Sequence, residues 1–591
     1  MTPLEEYTAR HQRWSTEFAR VQRRQHILGN ARLVTGLALA VVAAASLGPA
    51  WISPWWLLGP GIALVIMMSM HPRTVREFQR AARSVAYYGL GLARLQNRWA
   101  GQGRQGEDLR DPRHMYADDL DVFGRGSLFE LLSTARTGTG ERTLSAWLLA
   151  PGQHVDVVAR QTAVRELAPK LDLREDLAVI GEDIRSALDD RRLAAWGALP
   201  PVAVFRGARL IAFLLSIAGA ATGIVWIAGE GIRPFLYVAA VEILFGWAIR
   251  KPIFEITQAV NTPARELRLI ALLLDRLEKE PATSPALVAL RERLRLNGSS
   301  ATAHIRRLQR LVEWMEWAYN QVFAVLSAPL LWIPQFAMAI EAWRLQCGPH
   351  IADWIAAVGE YEALGSLAAF TYEHPAAVFP ELLAGPQPVY QAADLAHPLI
   401  AAEEAVANDV ALGGDTGLWI ISGSNMSGKS TLLRAVGLSV AMAWAGAPVT
   451  AKSLRLARLQ VGASLRANDS LADHQSRFYA EIRRLKAIVD AAGADPQVLF
   501  LLDELLSGTN SHDRRIGAEA LLKGLLERGA IGLTTTHDLA LAEMADGLSA
   551  RNVHFEDQFE GGKIHWDYRL RPGVVQRGNA LELMRAVGLD V

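Results

Sequence analysis

Hydrophobic positions along this chain fall into two textures. The first is continuous. Residues 33–70 carry no charged side chain, and the stretch breaks at Gly48-Pro49 and Ser53-Pro54 into two apolar runs. Each run is about 15–17 residues, at the short end of the roughly 17–25 needed to cross a bilayer as helix, and together they predict a helical hairpin. Trp51, Trp55 and Trp56 sit at its turn, where amphipathic rings favour the headgroup layer. Arg20, Arg23, Arg24 and Arg32 precede it, and His71, Arg73 and Arg76 follow, so both ends are expected in the cytoplasm. The charged region before it is too long for a cleaved signal peptide.

A second hairpin is expected after Arg206 and Arg209. Residues 210–229 are free of charge, a turn with Glu230, Arg233 and Pro234 follows, and 235–249 is apolar up to Arg250 and Lys251. Glu242 lies inside that run. A carboxylate there is costly unless it is protonated or paired, and the reading preferred for it is a helix-packing contact. A third apolar stretch, 321–340, is interrupted by Pro329, Pro334 and Gln335 and lacks basic flanks, so a buried helix of a soluble domain is expected. Residues 255–320 are rich in Leu, Arg and Glu at helical spacing, with breaks at Pro281, Pro285 and Asn297-Gly298, and predict long helices.

The second texture starts near 395, where short β-branched or apolar runs alternate with helical patterns, as in an α/β domain. Composition narrows the choices. Hydrophobic residues are 51% of 591, which excludes a mainly disordered chain. The single cysteine, Cys347, excludes an internal disulfide framework or a thiolate metal cluster. Lys+Arg and Asp+Glu are both 61, so global charge gives no support for nucleic-acid binding.

The chemistry lies in the second texture. A short strand at 418–421 runs into Gly423, Ser424, Asn425, Met426, Ser427, Gly428, Lys429, Ser430 and Thr431, and a helical run follows. This is GxxxxGK[ST] in its strand–loop–helix setting. Its glycines let backbone N–H groups surround phosphate oxygens, and the helix N-terminus adds partial positive charge. Lys429 is expected at the β- and γ-phosphates of ATP and Ser430 on magnesium. A strand at 497–502 ends in Asp503-Glu504. Asp503 is expected to hold Mg2+, partly through water, and Glu504 to polarise the attacking water. A third strand, 531–535, leads to His537, placed for a γ-phosphate contact if this strand neighbours the Asp503 strand.

These segments resemble MutS-type DNA mismatch-repair ATPases. ISGSNMSGKSTLLRAVGL resembles that family's P-loop, LLDELLSGTNSHD (501–513) its Walker B segment, and TTTHDLAL (534–541) its histidine motif. NDSLADHQSRFYAE (468–481) resembles its signature region, in which a serine from one subunit approaches the other's γ-phosphate; by position this is Ser476. HPLI and Asn408-Asp409 resemble the segment before the P-loop, which puts Asn408 near the adenine, and the tail from YRLRPG fits as well. More weakly, 126–151 resembles the start of the family's helical core. No counterpart of the mismatch-reading domain was found, His474 occupies a glycine position of the signature, and Arg477 a threonine position.

The expected fold class is an α/β P-loop NTPase domain at the C-terminus, preceded by an all-α core and lever domain and two transmembrane hairpins. The expected layout is an N-terminal cytoplasmic helix (1–32), hairpin 1 (33–70), a helical connector (71–114), helical core (115–205), hairpin 2 (206–250), the rest of the core and lever (251–394) and the ATPase domain (395–591). The resemblance implies a homodimer with composite ATP sites and Ser476 acting in trans. The chain is expected as a multi-pass protein of the cell inner membrane, with both termini and the ATPase domain cytoplasmic, its partners being itself, the lipid bilayer, an unknown protein and, in a second reading, DNA. That second reading is a membrane-tethered DNA-binding module using Arg265, Arg268, Arg291, Arg293, Arg306 and Arg310. ABC-type transport is disfavoured because the LSGGQ signature is missing.

Overall fold

In the computed structural model, the residues described are 1–47, 51–185, 188–321, 323–424, 426–465, 477–537, 542, 548–560 and 563–575. Two compact units divide the chain: residues 1–133, 145–171 and 366–591 form one, and 134–144 with 172–365 form the other.

The first unit begins with two long helices, α1 (Pro3–Leu47) and α2 (Leu58–Leu95). The boundary expected at 32/33 falls within α1. Polarity changes there, but no glycine or proline interrupts the backbone hydrogen bonds, so the charged helix and the apolar run are one element. Their charged ends pack through Tyr7, Tyr87 and Tyr88, with ring centroids 5.5 Å (Tyr7–Tyr88) and 5.1 Å (Tyr87–Tyr88) apart. Arg94 donates two hydrogen bonds to Glu373, from Nε (2.6 Å) and Nη2 (2.5 Å), and Tyr7 donates to the same carboxylate at 3.2 Å. The apolar ends are bare: Leu33, Val34, Leu37 and Val41 are 62–76% exposed.

The second unit is helical, as its leucine- and arginine-rich spacing predicts. Helix α3 (Ala208–Ile227) is followed by α4 (Arg233–Glu278), α5 (Ala301–Glu316), the single-turn α6 (Ala324–Ser327) and α7 (Trp332–Cys347). Helix α4 does not stop at Arg250 but runs on through Pro252 and Pro263 for 46 residues. Its distal part buries Leu267, Ile270, Leu273, Leu274 and Leu277 at three- and four-residue spacing, one helical face in the bundle core. The 321–340 stretch is not the single buried helix expected. It is split at Pro329, with Leu331 buried in a left-handed turn (φ 42°), and burial becomes continuous only from Ala337 onward. Among the described residues, α1, a helical stretch from Pro54 to Leu95 that includes α2, and α3 are long and apolar enough to cross a membrane.

The C-terminal part of the first unit contains two sheets. The smaller has four strands, β1 (Glu381–Leu382), β2 (Tyr390–Leu395), β3 (Asn408–Leu412) and β5 (Ser453–Leu456), in the order β1-β5-β2-β3. The α/β region therefore opens at Glu381, ahead of the texture change at 395. The larger sheet comprises β4 (Leu418–Ser422), β6 (Leu459–Ser464), β7 (Gln497–Leu502), β8 (Ile531–Thr536), β9 (Ala550–Glu560) and β10 (Lys563–Pro572), in the order β10-β9-β4-β8-β7-β6. All neighbours are parallel except the β9–β10 hairpin. Strand β4 is buried at all five positions and β8 at all six, the continuous apolar pattern of central parallel strands. Helices α9 (Lys429–Ala445), α10 (Arg477–Ala491) and α11 (Ser511–Glu527) are the crossovers.

Candidate functional site

The topology aligns the C-terminal ends of β4, β8 and β7. Thr536 pairs with Ser422, and Thr534 with Leu502, so the residues that follow each strand emerge side by side. This is the end of an open parallel sheet where ligands bind.

Beyond β4 the loop turns sharply. Gly423 adopts φ 149°, and a Cβ there would lie 3.0 Å from Ser427 Oγ and 3.1 Å from the Phe555 carbonyl, so a side chain is excluded. Gly428 (φ 104°) caps α9, which begins at Lys429. Ser427 Oγ donates to the Ser424 carbonyl at 2.9 Å and braces the loop. Met426 stands exposed at φ 71°. Lys429 is buried, and its Nζ donates to the carbonyls of Gly423 (2.9 Å) and Ser424 (2.6 Å). Thr431 lies in the first turn of α9. Asn425 lies outside the described residues, as does Ser476.

The acids stand opposite. Ser430 Oγ donates to Asp503 Oδ2 at 2.6 Å, which joins the P-loop to the end of β7. Thr535 Oγ1 donates to Asp503 Oδ1 and accepts from the Glu504 backbone N–H at 3.1 Å. Glu504 holds a left-handed backbone (φ 48°), a conformation that costs energy and that tertiary bonds maintain. Glu504 Oε1 lies 2.7 Å from His537 Nε2, and the same nitrogen is 3.4 Å from Lys429 Nζ. Lys429, Ser430, Asp503, Glu504 and His537 thus form one connected cluster.

Among the described residues no group of three or more His, Cys, Asp or Glu could form a protein metal cage. One hydroxyl and one carboxylate, both hard oxygen donors, instead fit magnesium shared with a phosphate chain.

Asn408, expected near the adenine, has its carboxamide bonded within the protein. Its Nδ2 donates to the Tyr568 carbonyl at 2.9 Å, and its Oδ1 accepts from Leu570 N–H at 2.7 Å, so its carboxamide ties β3 to β10. The residue it positions, Tyr568 (φ 53°), brings its ring edge within 3.2 Å of where a Gly428 Cβ would stand. Tyr568 and Thr535 were missed as site residues. Thr535 had a signal, two places before His537. Tyr568 had none, because the β9–β10 hairpin alone brings it to the loop. Two further contacts brace the region after β7. Glu481 on α10 accepts the Leu506 N–H at 2.7 Å, and a Cβ on Gly508 would meet Phe478 at 3.1 Å. Asp119, fully buried, accepts from Leu465 N–H (2.9 Å) and Arg484.

A strand–P-loop–helix with an acid pair on a parallel strand one place removed, β8 lying between them, defines the P-loop nucleotide-binding class. Residues 419–590 match the MutS domain V family. The chain is similar to Endonuclease MutS2 of Thermus thermophilus (36% identity over 195 residues; 33% of this chain, 25% of that protein). It is also similar to the DNA mismatch repair protein MutS of Shouchella clausii (36% over 188 residues; 31% and 21%) and to the DNA mismatch repair protein MutS 2 of Haloarcula marismortui (37% over 175 residues; 29% and 18%). This C-terminal region therefore carries a domain of the MutS type. The similarity spans about a quarter of the first relative's length.

Proposed function

We propose that this protein is a membrane-anchored MutS-related ATPase that hydrolyses ATP to ADP and phosphate in a homodimer and couples turnover to conformational change. The observation that carries the proposal is the hydrogen-bonded cluster of Lys429, Ser430, Asp503, Glu504 and His537 at the ends of three adjacent strands. The backbone from Gly423 to Thr431 cradles the phosphates, with Lys429 at the β- and γ-positions. Ser430 and Asp503 hold magnesium, which when bound supplies charge neutralisation at the phosphates. Glu504 orients the attacking water and accepts its proton, and His537, between Glu504 and Lys429, contacts the γ-phosphate. Ser476 of the second subunit completes each site in trans.

The membrane part of the proposal rests on the bare apolar surfaces of α1, α2 and α3, which water would not support at this size. Trp51, Trp55 and Trp56, all more than two-thirds exposed, mark the far headgroup layer. The basic flanks put both termini and the ATPase domain in the cytoplasm, as a multi-pass protein of the inner membrane.

The relatives' names bring a second reading, binding of DNA through the helices between 255 and 320. Two of the arginines that reading relies on are engaged by acids, Arg293 with Glu360 and Arg306 with Asp275, both at 2.7 Å. The ATPase reading is therefore preferred. One experiment tests both: ATPase activity of the detergent-purified protein with no DNA and with homoduplex, mismatched and branched DNA. Basal turnover that DNA leaves unchanged supports the first reading, salt-sensitive stimulation by one DNA the second, and no Mg-ATP binding refutes both. Mixing Ser476→Ala with Lys429→Ala subunits tests the composite site, which predicts partial recovery of activity in the mixed dimer.

A further inference from the structure

The broken segment between α5 and α7 lies against the middle of α3. Ser216 Oγ donates to the Leu330 carbonyl at 2.6 Å, and Gln335 Nε2 donates to the same carbonyl at 2.8 Å and to Ser216 Oγ at 2.9 Å. One turn further along α3, a Cβ on Gly219 would meet Glu242 Oε1 at 2.5 Å and the Pro329 carbonyl at 3.2 Å. Glycine at 219 therefore admits both the Pro329 turn and the buried Glu242 of α4.

The depth of these contacts follows from helix geometry. Ser216 and Gly219 stand 8 and 11 residues after Ala208, the first residue of the 20-residue α3. At about 1.5 Å per residue, that is roughly 12 and 16 Å along a helix of roughly 30 Å. The Pro329–Leu330 turn thus reaches the level of the helix midpoint. Both flanking helices lead away from this turn, α5 running beside α7 with the Trp343 indole donating to the His304 carbonyl at 2.8 Å. On the far side of the turn, α7 enters the helical bundle, where Glu341 accepts the Val202 N–H at 2.9 Å, and Val202 lies just before α3. On the near side the segment is pinned to the end of α5: the Trp332 indole donates to the Trp314 carbonyl at 2.5 Å, and Trp317, Phe323, Trp332, Phe336 and Trp314 form an unbroken series of ring contacts.

We propose that residues 323–335 form a re-entrant element, dipping to mid-bilayer beside hairpin 2 and returning to the cytoplasmic face, with lipid hydrocarbon as the partner of its outer surface. The inference rests on the membrane reading of hairpin 2. Three observations carry it beyond that reading. No charged residue occurs from 321 to 340, while Glu316 and Glu341 bracket the stretch. The outward residue Leu326 is 56% exposed, as bare as Phe213, Leu214 and Ile217 of α3. Non-helical backbone is tolerated at membrane depth only where its polar groups have protein partners. Here the Leu330 carbonyl, freed by the break, has two. Tyr319, 73% exposed, then falls where the element enters, at the headgroup level that aromatic rings favour.

Single cysteines in a full-length Cys347→Ser background test the arrangement, using a membrane-impermeant maleimide on vesicles of both orientations. Tyr319→Cys and Leu345→Cys are expected to label from the cytoplasmic face. Leu326→Cys and Ala328→Cys are expected to react at least 10-fold more slowly from either face, like the hairpin control Ile217→Cys. Rapid labelling of both 326 and 328 with 217 still protected places the segment in water and overturns the proposal while leaving hairpin 2 in the membrane. Labelling of 319 and 345 from opposite faces replaces re-entry with a full crossing, and overturns it too. Rapid labelling of 217 removes the membrane reading itself and the proposal with it.

Discussion

Strand β4 and the first apolar run of α1 have nearly the same composition and opposite surroundings. Leu418, Trp419, Ile420 and Ile421 are at most 4% exposed, held between β8 and β9. Leu33, Val34, Leu37 and Val41 touch almost nothing. At about 25 cal/mol per Å2, burying apolar surface is the main stabilising term of a fold, and a helix that forgoes it over this length needs an apolar solvent. The polar residues differ in the same way. Around β4 they are used, each one bonded to another at the strand ends. Along 33–47 only Thr35 and Ser46 break the apolar run. Hydrophobicity therefore reports burial in the first region and, on our proposal, lipid contact in the second.

The sharpest way to test the polar side of this contrast is Glu504→Gln. Single-turnover hydrolysis is expected to fall about 10²–10⁴-fold while Mg-ATP still binds in a fluorescent-nucleotide titration. A wild-type rate would remove Glu504 as the base. Arg94→Ala strikes the buried pair where α2 meets Glu373. It is expected to cost about 3–5 kcal/mol in urea unfolding, because a buried carboxylate loses its partner, whereas the double change Arg94→Met with Glu373→Leu recovers most of it. On the apolar side, Val41→Lys in the centre of hairpin 1 is expected to cost about 2.5–3.5 kcal/mol of insertion. The readout is a smaller share of protein resisting alkaline extraction from membranes, with ATP binding retained. An unchanged share would break the comparison.

The smallest expected effect is a pH dependence. Burial, and secondarily the nearby Arg434 charge, push His397 down to about 4, and its Nδ1 accepts the Leu399 N–H at 3.2 Å. The unfolded imidazole takes its proton near pH 6.5. Stability is therefore complete above about 6.5 and declines as pH falls toward 4, by about 2 kcal/mol after allowance for partial exposure. Urea midpoints measured across this range are expected to slope for the wild type and to flatten for His397→Phe.

Much of the site was legible because its pieces are local. GxxxxGKS dictates a tight loop and a helix start, and an acid pair after an apolar run marks a strand end. The neighbour relation of the His537 strand entered only as a condition, which the β7–β8 pairing meets. What stayed hidden depends on residues far apart in the chain. Asp119 meets Leu465 and Arg484 across more than 340 positions. Tyr568 reaches Gly428 only through the β9–β10 hairpin. The bonds from the Asn408 carboxamide to the backbone of β10 were likewise not legible. The polarity changes at 32 and at 250 fall inside continuous helices, and the 321–340 stretch looked like one buried helix because composition does not show which neighbour covers a carbonyl.

Local backbone chemistry was settled by the order of the residues alone: where the phosphate loop lies, which strand ends carry acids, which runs are long and apolar enough to cross a membrane. These depend on steric freedom and solvation within a few residues. The order of strands β10-β9-β4-β8-β7-β6, the bonding of Ser430 and Thr535 to one carboxylate, and the turn that seats Pro329 against Gly219 were decided only by the tertiary structure. Each needs groups distant in sequence to find a common register, and that choice is made by packing and hydrogen-bond satisfaction over the whole fold.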